Sequence, residues 1–261
     1  MAYALITGAS SGIGESFAYA LARQKYDLVL VARREQRLDA VAAKAREIGA
    51  GRTEIVAADL ARTSAPFELQ ARLMAASVEI DYLINNAGFG TTGRFAQLPL
   101  ARELEEIELN VTALVALSRL FLPSMIQRRR GTIINVASTA AFQPIPYMAT
   151  YAATKAFVLS FTEAISVESA GTGVKILALC PGPVRTEFQA VAKHENALVP
   201  SFAFLDSETV VRQALAAAAG GRRVRINGFI NSVTAVAARV FPRKLVTAVA
   251  GRIYRNAGIA A

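Results

Sequence analysis

The 261-residue chain predicts an α/β protein built on one doubly wound parallel sheet. Three observations carry the prediction. Apolar strand-like runs alternate with helix-like stretches from the N-terminus to about residue 180. The runs are apolar throughout rather than alternating, as strands covered on both faces must be. A cluster of glycines, Gly8, Gly12 and Gly14, separates the first run from the first helical stretch, where a tight strand-to-helix turn needs them. With 53% hydrophobic residues the chain fills one large core, and no repeat or low-complexity linker marks a second one.

The elements follow in order. Ala2–Thr7 reads as a strand ending at the glycines, and Ile13–Gln24 as the helix they open. Asp27–Ala32 (Asp-Leu-Val-Leu-Val-Ala) is a buried strand, and Glu35–Ile48 an alanine-rich helix stopped by Gly49. Thr53–Ala58 is a third strand. Ser64 stands where it would cap the next helix, with Pro66 in its first turn. Asp81–Asn85 is a fourth strand. A long helix from Leu100 to about Arg128 must accommodate Pro123. Thr132–Ala137, a helix over Thr150–Ser169, and the strand Val174–Leu179 complete the alternation.

Charge is unevenly placed. The formal net charge is +9, and from Thr209 onward there are nine cations and no acid, so the preceding 208 residues are neutral. The one cysteine, Cys180, rules out an internal disulfide and sits in an apolar run, where a buried inert thiol is expected. No signal peptide is visible and no uninterrupted apolar run reaches the roughly 18 residues of a membrane span. A cytoplasmic protein is the simplest expectation. No grouping of His, Cys and carboxylates points to a metal, and His194 is the only histidine.

Four motifs carry chemistry. Thr7-Gly8-Ala9-Ser10-Ser11-Gly12-Ile13-Gly14 offers glycines that allow close approach of a pyrophosphate, hydroxyl donors from Ser10 and Ser11, and a helix N-terminus. A plain glycine turn would look similar. Asn85-Asn86-Ala87-Gly88 ends the fourth strand. Tyr151-Ala-Ala-Thr-Lys155 puts a phenol and an ammonium one helical turn apart, with Ser138 upstream. The ammonium is expected to lower the phenol's pKa from its ordinary value near ~10 toward neutrality. Pro181-Gly182-Pro183-Val184-Arg185-Thr186 follows the sixth strand.

In this order the motifs resemble the short-chain dehydrogenase/reductase family over roughly residues 1–230, with details around Ala137-Ser138-Thr139 closest to its ketoacyl reductases and 17β-hydroxysteroid dehydrogenases. The resemblance implies a Rossmann-type fold and hydride transfer between a nicotinamide cofactor and a carbonyl or alcohol. It implies that Tyr151 exchanges the proton and that Ser138 polarises the substrate oxygen. Lys155 would tune the tyrosine and bond the nicotinamide ribose, and Asn110 would hold a water that links the lysine to solvent. Thr139 is the alternative to Ser138, since only one of the pair can face the site. Gly8, Ser10, Ser11, Gly12, Ile13 and Gly14 would hold the pyrophosphate. Asp59 and Leu60 would meet the adenine, and Asn86, Ala87 and Gly88 the ribose, although Asp59 could equally cap a turn and Asn86 steady the sheet. Pro181, Gly182, Val184 and Thr186 would hold the nicotinamide.

Cofactor choice is read at the end of the second strand. An NAD site places an acid there, whereas this chain has Ala32 followed by Arg33 and Arg34. NADP(H) is expected, with Arg33 on the 2′-phosphate because it comes first after the strand. Residues 187–206 read as a substrate lid. Phe188, Leu198, Val199, Phe202, Phe204 and Leu205 within it imply a lipophilic ketone or alcohol.

Residues 1–228 thus form the catalytic domain, and residues 229–261 a basic amphipathic C-terminal extension without a core of its own. Its apolar positions are Phe229, Ile230, Val233, Ala237, Val240 and Phe241, then Leu245, Val246, Val249 and Ile253. Such a stripe packs on the body or a second subunit, or lies on an anionic membrane surface. Nucleic acid is not expected, because aromatics do not interleave with the cations. A homo-oligomer, dimer or tetramer, follows by analogy with the family. Two other classes of function remain open: a catalytically silent NADP-binding regulator, and a membrane-surface interaction protein that works through its tail.

Overall fold

A computed structural model describes residues 2–185 and 204–256. Its seven strands are β1 Tyr3–Thr7, β2 Asp27–Ala32, β3 Thr53–Ala57, β4 Ile80–Asn85, β5 Gly131–Val136, β6 Val174–Cys180 and β7 Val224–Ile226. They form one parallel sheet in the order β3-β2-β1-β4-β5-β6-β7. The direction of winding reverses between β1 and β4, so the loops leaving these strands diverge and open a crevice at their C-terminal ends.

Successive residues of a strand face opposite sides, and each side has its helices. On one, Ile6, Leu28 and Leu30 pack with Phe17 and Leu21 of α1 (Gly12–Arg23), Leu38 and Val41 of α2 (Glu35–Ile48), and Val210 and Ala214 of α7 (Ser207–Ala219). On the other, Leu5, Val29, Leu83 and Ile133 pack with Leu69 and Leu73 of α3 (Ala65–Ala75) and with Leu117, Phe121 and Met125 of α5 (Ala113–Gln127). The helix α6 (Ala149–Glu168) covers β5 and β6 with Val158 and Leu159. A buried polar ladder ties these layers together. The Asn85 side chain donates to Asn135 Oδ1 (2.9 Å) and Ser118 Oγ (3.1 Å), and Asn135 donates to Thr162 Oγ1 (3.0 Å).

The expected strands and helices are present, with ends within a residue of the sequence reading. Four differences have physical causes. The long helix is α4 (Leu100–Ile107) and α5 joined by a π-helical turn, Glu108–Thr112, and Pro123 lies inside α5. Ser64 does occupy the cap position of α3, but its hydroxyl accepts from Arg62 (3.2 Å) and makes no cap bond. The strand β7 was not expected, because its Val-Arg-Ile is hidden among arginines. The continuous path Leu100–Gln127 contains a window apolar enough, by length and composition alone, to cross a membrane. Here that path packs across the sheet through Leu117, Phe121 and Met125.

Helix α4 is inside out. Glu103 and Glu106 are buried, while Leu100, Leu104 and Ile107 are exposed. The C-terminal extension does not pack its bulky stripe on the body, one of the fates the sequence left open. It forms α8 (Phe229–Val240) and α9 (Arg243–Asn256). Its bulky stripe faces outward, from Phe229 (84% exposed) to Val240 (76%) and on to Leu245, Val249 and Ile253. Small side chains make the inward face: Ala235 and Ala250 are buried. Among the described residues, the extension docks on the segment after β5. Arg239 stacks its guanidinium 4.9 Å from the Phe142 ring centre, and Tyr254 donates to Met148 Sδ (3.4 Å).

Candidate active site

One cavity of about 620 Å³ opens over the C-terminal ends of the strands. It runs from Gly8, Ser10, Ser11, Gly12 and Ile13, past Arg33, Arg34, Asp59, Leu60, Asn86, Ala87 and Gly88, to Ser138, Tyr151, Lys155, Pro181, Gly182 and Val184. Gly14 and Asn110 stand behind its wall. Thr186 and residues 187–203 of the expected lid lie outside the described residues, as does His194. Phe204 lines the cavity, and Leu205 pairs with Val184.

The glycines are needed for different reasons. Gly8 has φ +65° and Gly12 +60°, a left-handed turn that suits glycine. Gly14 is needed for contact: a Cβ there would run into the Gly8 carbonyl oxygen. Asn86 clasps this turn by donating from Nδ2 to the carbonyls of Thr7 (2.9 Å) and Gly8 (3.3 Å). The Thr7 hydroxyl receives the amides of Asn86 (2.9 Å) and Ala87 (3.0 Å). Asn86 therefore locks β1 to β4 beneath the groove. Asp59 Oδ1 accepts from the Ala61 amide (3.1 Å), a turn cap on the same side of the groove as the arginines.

Both arginines line the cavity and make different contacts. Arg33 pairs with Glu105 (3.2 Å) and its side chain is 54% exposed. Arg34 reaches the glycine turn, donating to Ser10 Oγ (3.1 Å) and Ser11 Oγ (3.2 Å). The order along the chain favoured Arg33. The strand's end rotates the second arginine toward the turn.

At the other end, Ser138 and Tyr151 share a hydrogen bond. Ser138 Oγ also accepts from the Ala140 amide (3.1 Å), which fixes it at the start of a short 3₁₀ turn, Thr139–Phe142. Thr139 lines the cavity, but Ser138 is the one bonded to the tyrosine. Lys155 is buried, and its ammonium donates to the Val136 carbonyl (2.8 Å). Asn110 sits in the π-turn. Its amide group donates to Phe89 O (2.8 Å) and Thr154 Oγ1 (3.1 Å), and its Oδ1 accepts from Phe89 N (3.1 Å). Its side chain is thus spent on holding the Gly88–Phe89 strand end against α6. A water role for Asn110 would have to use its backbone.

The expected drop in the tyrosine pKa is absent. Burial pushes the Tyr151 phenol well above its ordinary value, and the Ser138 bond only partly offsets this. Burial also lowers Lys155 to about 8. Burial thus pulls the two groups in opposite directions and holds the phenol protonated.

Sequence reasoning missed several residues here. Burial singles out Glu106, whose pKa is raised to about 7 and whose charge acts on both Lys155 and Tyr151. Its position among exposed-looking acids of α4 gave no signal. Thr234, Ala235, Ala238 and Tyr254 of the extension line the cavity beside Phe142, Ile145 and Met148. None of these four was singled out in the sequence, where the tail's larger apolar residues drew the attention.

The groove suits an extended dinucleotide. Hydroxyl and guanidinium donors stand at its glycine end, a carboxylate next to them, and a hydroxyl pair at the far end. Comparison with known proteins gives the same frame. The family model described as short chain dehydrogenase matches residues 2–197. A very-long-chain 3-oxoacyl-CoA reductase of Anas platyrhynchos is 31% identical over 218 residues, 82% of this chain and 68% of that protein. A solved short-chain dehydrogenase of Sphingobium yanoikuyae, in complex with NADPH, is 33% identical with a TM-score of 0.82, covering 93% of this chain and 97% of that one. A short chain dehydrogenase/reductase of Burkholderia phymatum, in complex with NAD, is 27% identical with a TM-score of 0.79, covering 90% and 92%.

Proposed function

The chain belongs to the short-chain dehydrogenase family, nicotinamide-dependent oxidoreductases of CH–OH and C=O groups, and from that premise we propose an NADP(H)-dependent reductase of bulky, lipophilic carbonyl compounds. The observation that carries the proposal is the Ser138–Tyr151 hydroxyl pair beside Lys155, at the end of a groove whose other end holds Arg34, with Ala32 rather than an acid closing β2.

The residues' roles in the reducing direction follow from their protonation states. A buried phenol with a raised pKa is held protonated at neutral pH, and so is poised to give a proton to a carbonyl oxygen. Ser138 donates its own hydrogen to the same oxygen while its lone pair takes the Ala140 amide. Lys155, near its midpoint at about pH 8, can pass a proton back to the tyrosine. The nicotinamide, when bound, supplies the hydride. Gly8, Ser10, Ser11, Gly12 and Ile13 would hold its phosphates, Asp59 and Leu60 its adenine, Ala87, Gly88 and Lys155 its ribose, and Pro181, Gly182, Val184 and Thr186 its amide.

Arg34, with Arg33, would meet a 2′-phosphate, and Ala32 leaves nothing to repel it. The Sphingobium relative's NADPH agrees with this choice. The substrate wall of Phe142, Ile145, Met148, Phe204, Ala238 and Tyr254 is apolar, in keeping with a relative that reduces very-long-chain 3-oxoacyl-CoA. A panel of ketones with NADPH and NADH, read at the cofactor absorbance, tests the proposal. Faster oxidation of NADPH by the larger ketones is expected. Tight NADPH binding with no turnover on any ketone would favour the silent regulator.

Two outward apolar faces imply partners. Leu100, Leu104 and Ile107 of α4, with Phe157 of α6, form a face that a second copy would cover in a dimer or tetramer. The tail's stripe carries Arg239, Arg243, Lys244, Arg252 and Arg255 and no acid, which matches an anionic lipid surface on the cytoplasmic side. Co-sedimentation with anionic vesicles at low salt, lost for Arg243→Glu with Lys244→Glu, is the expected result. A light-scattering mass that drops when α8 and α9 are removed would assign the stripe to a subunit contact instead.

A further inference from the structure

Glu103, Glu106 and Asn110 fall three and then four residues apart, so they share one face of the helical path. That face is turned toward the segment after β4 and toward α6. Glu106 is fully buried. Its Oε2 accepts from the Thr91 amide (2.9 Å) and the Thr91 hydroxyl (2.8 Å), and its Oε1 has no hydrogen-bond partner among the described residues. Glu103 is buried beside it. Its Oε2 accepts from the hydroxyl of Thr150, the residue before Tyr151, and its Oε1 is likewise unpartnered. Two interior carboxylates in one cluster are costly unless a cation answers them.

The groups that face Glu106 are few. Glu103 comes from its own helix, Thr91 from the loop, and Lys155 and Tyr151 from α6. Cys180 of β6 acts on Lys155, and Tyr254 of α9 acts on Tyr151. Lys155 is the one cation in this set.

We infer that Glu106, backed by Glu103, is a positioning residue for proton transfer: it is the buried counter-charge that keeps Lys155 an ammonium beside Tyr151. This rests on the roles given to Tyr151 and Lys155 above. The coupling runs the same way from both partners, since the glutamate raises the lysine's pKa and the lysine lowers the glutamate's. Below about pH 7 Glu106 takes a proton, and above about pH 8 Lys155 loses one. The pairing is thus strongest between those two transitions, where Glu106 and Lys155 are both charged.

The test is Glu106→Gln in the full chain. Glutamine keeps an oxygen for Thr91 and removes the charge. The Lys155 midpoint, followed by NMR of isotope-labelled lysine side chains without cofactor, should fall by roughly half a pH unit or more. The high-pH limb of kcat for ketone reduction should move to lower pH with it, while the KM for the ketone holds. A Lys155 midpoint that does not move overturns the inference.

Stability gives a second readout. The folded pKa of Glu106 lies above its ordinary value, so its contribution is full below about 4.5 and is lost as pH rises through about 7. The melting temperature of Glu106→Gln relative to the parent should therefore rise as pH is raised through about 7. A difference that stays flat with pH would make Glu106 a mere structural acceptor and sink the idea. Glu103→Gln, which spares Glu106, should let Glu106 ionise more easily and carry the low-pH limb of kcat to lower pH. A protein that turns over no ketone, yet shows the lysine shift, would remove the reductase reading and leave the charge pairing standing.

Discussion

The two ends of the cavity are built on different terms. At the nucleotide end the backbone does the work. Gly8 and Gly12 adopt positive φ, Gly14 leaves no room for a Cβ, and Asn86 and Thr7 bond main-chain groups. At the substrate end side-chain surfaces do it: Phe142, Met148, Ala238 and Tyr254 meet from a loop and from two helices at the far end of the chain. Backbone geometry allows few residue types, so the nucleotide end is tightly specified. A wall of apolar surface can be repacked with many residues of similar volume. A change at one end should leave the other nearly unaltered, and that separation can be measured.

Tyr151→Phe sits between the ends and should have the largest effect. It removes the proton donor and the bond to Ser138, and turnover should fall at least ~10²-fold while NADPH affinity stays nearly unchanged. A fluorescence titration of NADPH beside steady-state rates checks both halves. If turnover is near normal, the assignment of Tyr151 is wrong.

Arg34→Ala should weaken NADPH about tenfold or more, the loss of charge-assisted bonds, and leave NADH binding little changed. The same change at Arg33, which is already paired with Glu105 and more exposed, should cost less. The reverse ranking would restore the order expected from the sequence. Ala238→Leu should narrow the substrate end, raising KM several-fold for bulky ketones but not for small ones, with NADPH affinity as in the parent. Equal loss on both would erase the division between the ends.

Arg239→Gln should have the smallest effect. The guanidinium over Phe142 is worth about 0.5–1 kcal/mol, so a drop of only a few °C in the melting temperature is expected. The readout of interest is Ser138, which caps the turn containing Phe142. A loss of kcat larger than the loss of stability would show that the tail braces the catalytic turn.

This contrast explains what the sequence disclosed. The sheet, its helices and the glycine turn were legible, because parallel strands buried on both faces and left-handed turns leave strong marks on residue choice. Ser138, Tyr151 and Lys155 were picked out by several motifs in register, since Tyr-x-x-x-Lys alone is common, and the fold brings all three to one cavity. Which of Arg33 and Arg34 leans on the glycine turn was not legible, since two adjacent arginines carry no sign of which way the chain rotates after β2. Glu103 and Glu106 were illegible. On a helix with exposed Leu104 and Ile107, the ordinary rule of apolar-in and polar-out points the wrong way. The tail was legible only in part. Its bulky stripe could have met the body, a subunit or a lipid surface, and it is alanines and one tyrosine that meet the body.

Cys180 lies fully buried at the end of β6, and burial pushes its thiol up to about 12. A protonated thiol with no access to solvent does not react with maleimides at neutral pH. The native chain is therefore a ready background for site-specific labelling, with no cysteine to remove. A single new cysteine at Val240, on the outward face of the tail, would carry an environment-sensitive fluorophore. Its emission colour would distinguish water, lipid and a neighbouring subunit at that one position, in an otherwise unaltered protein.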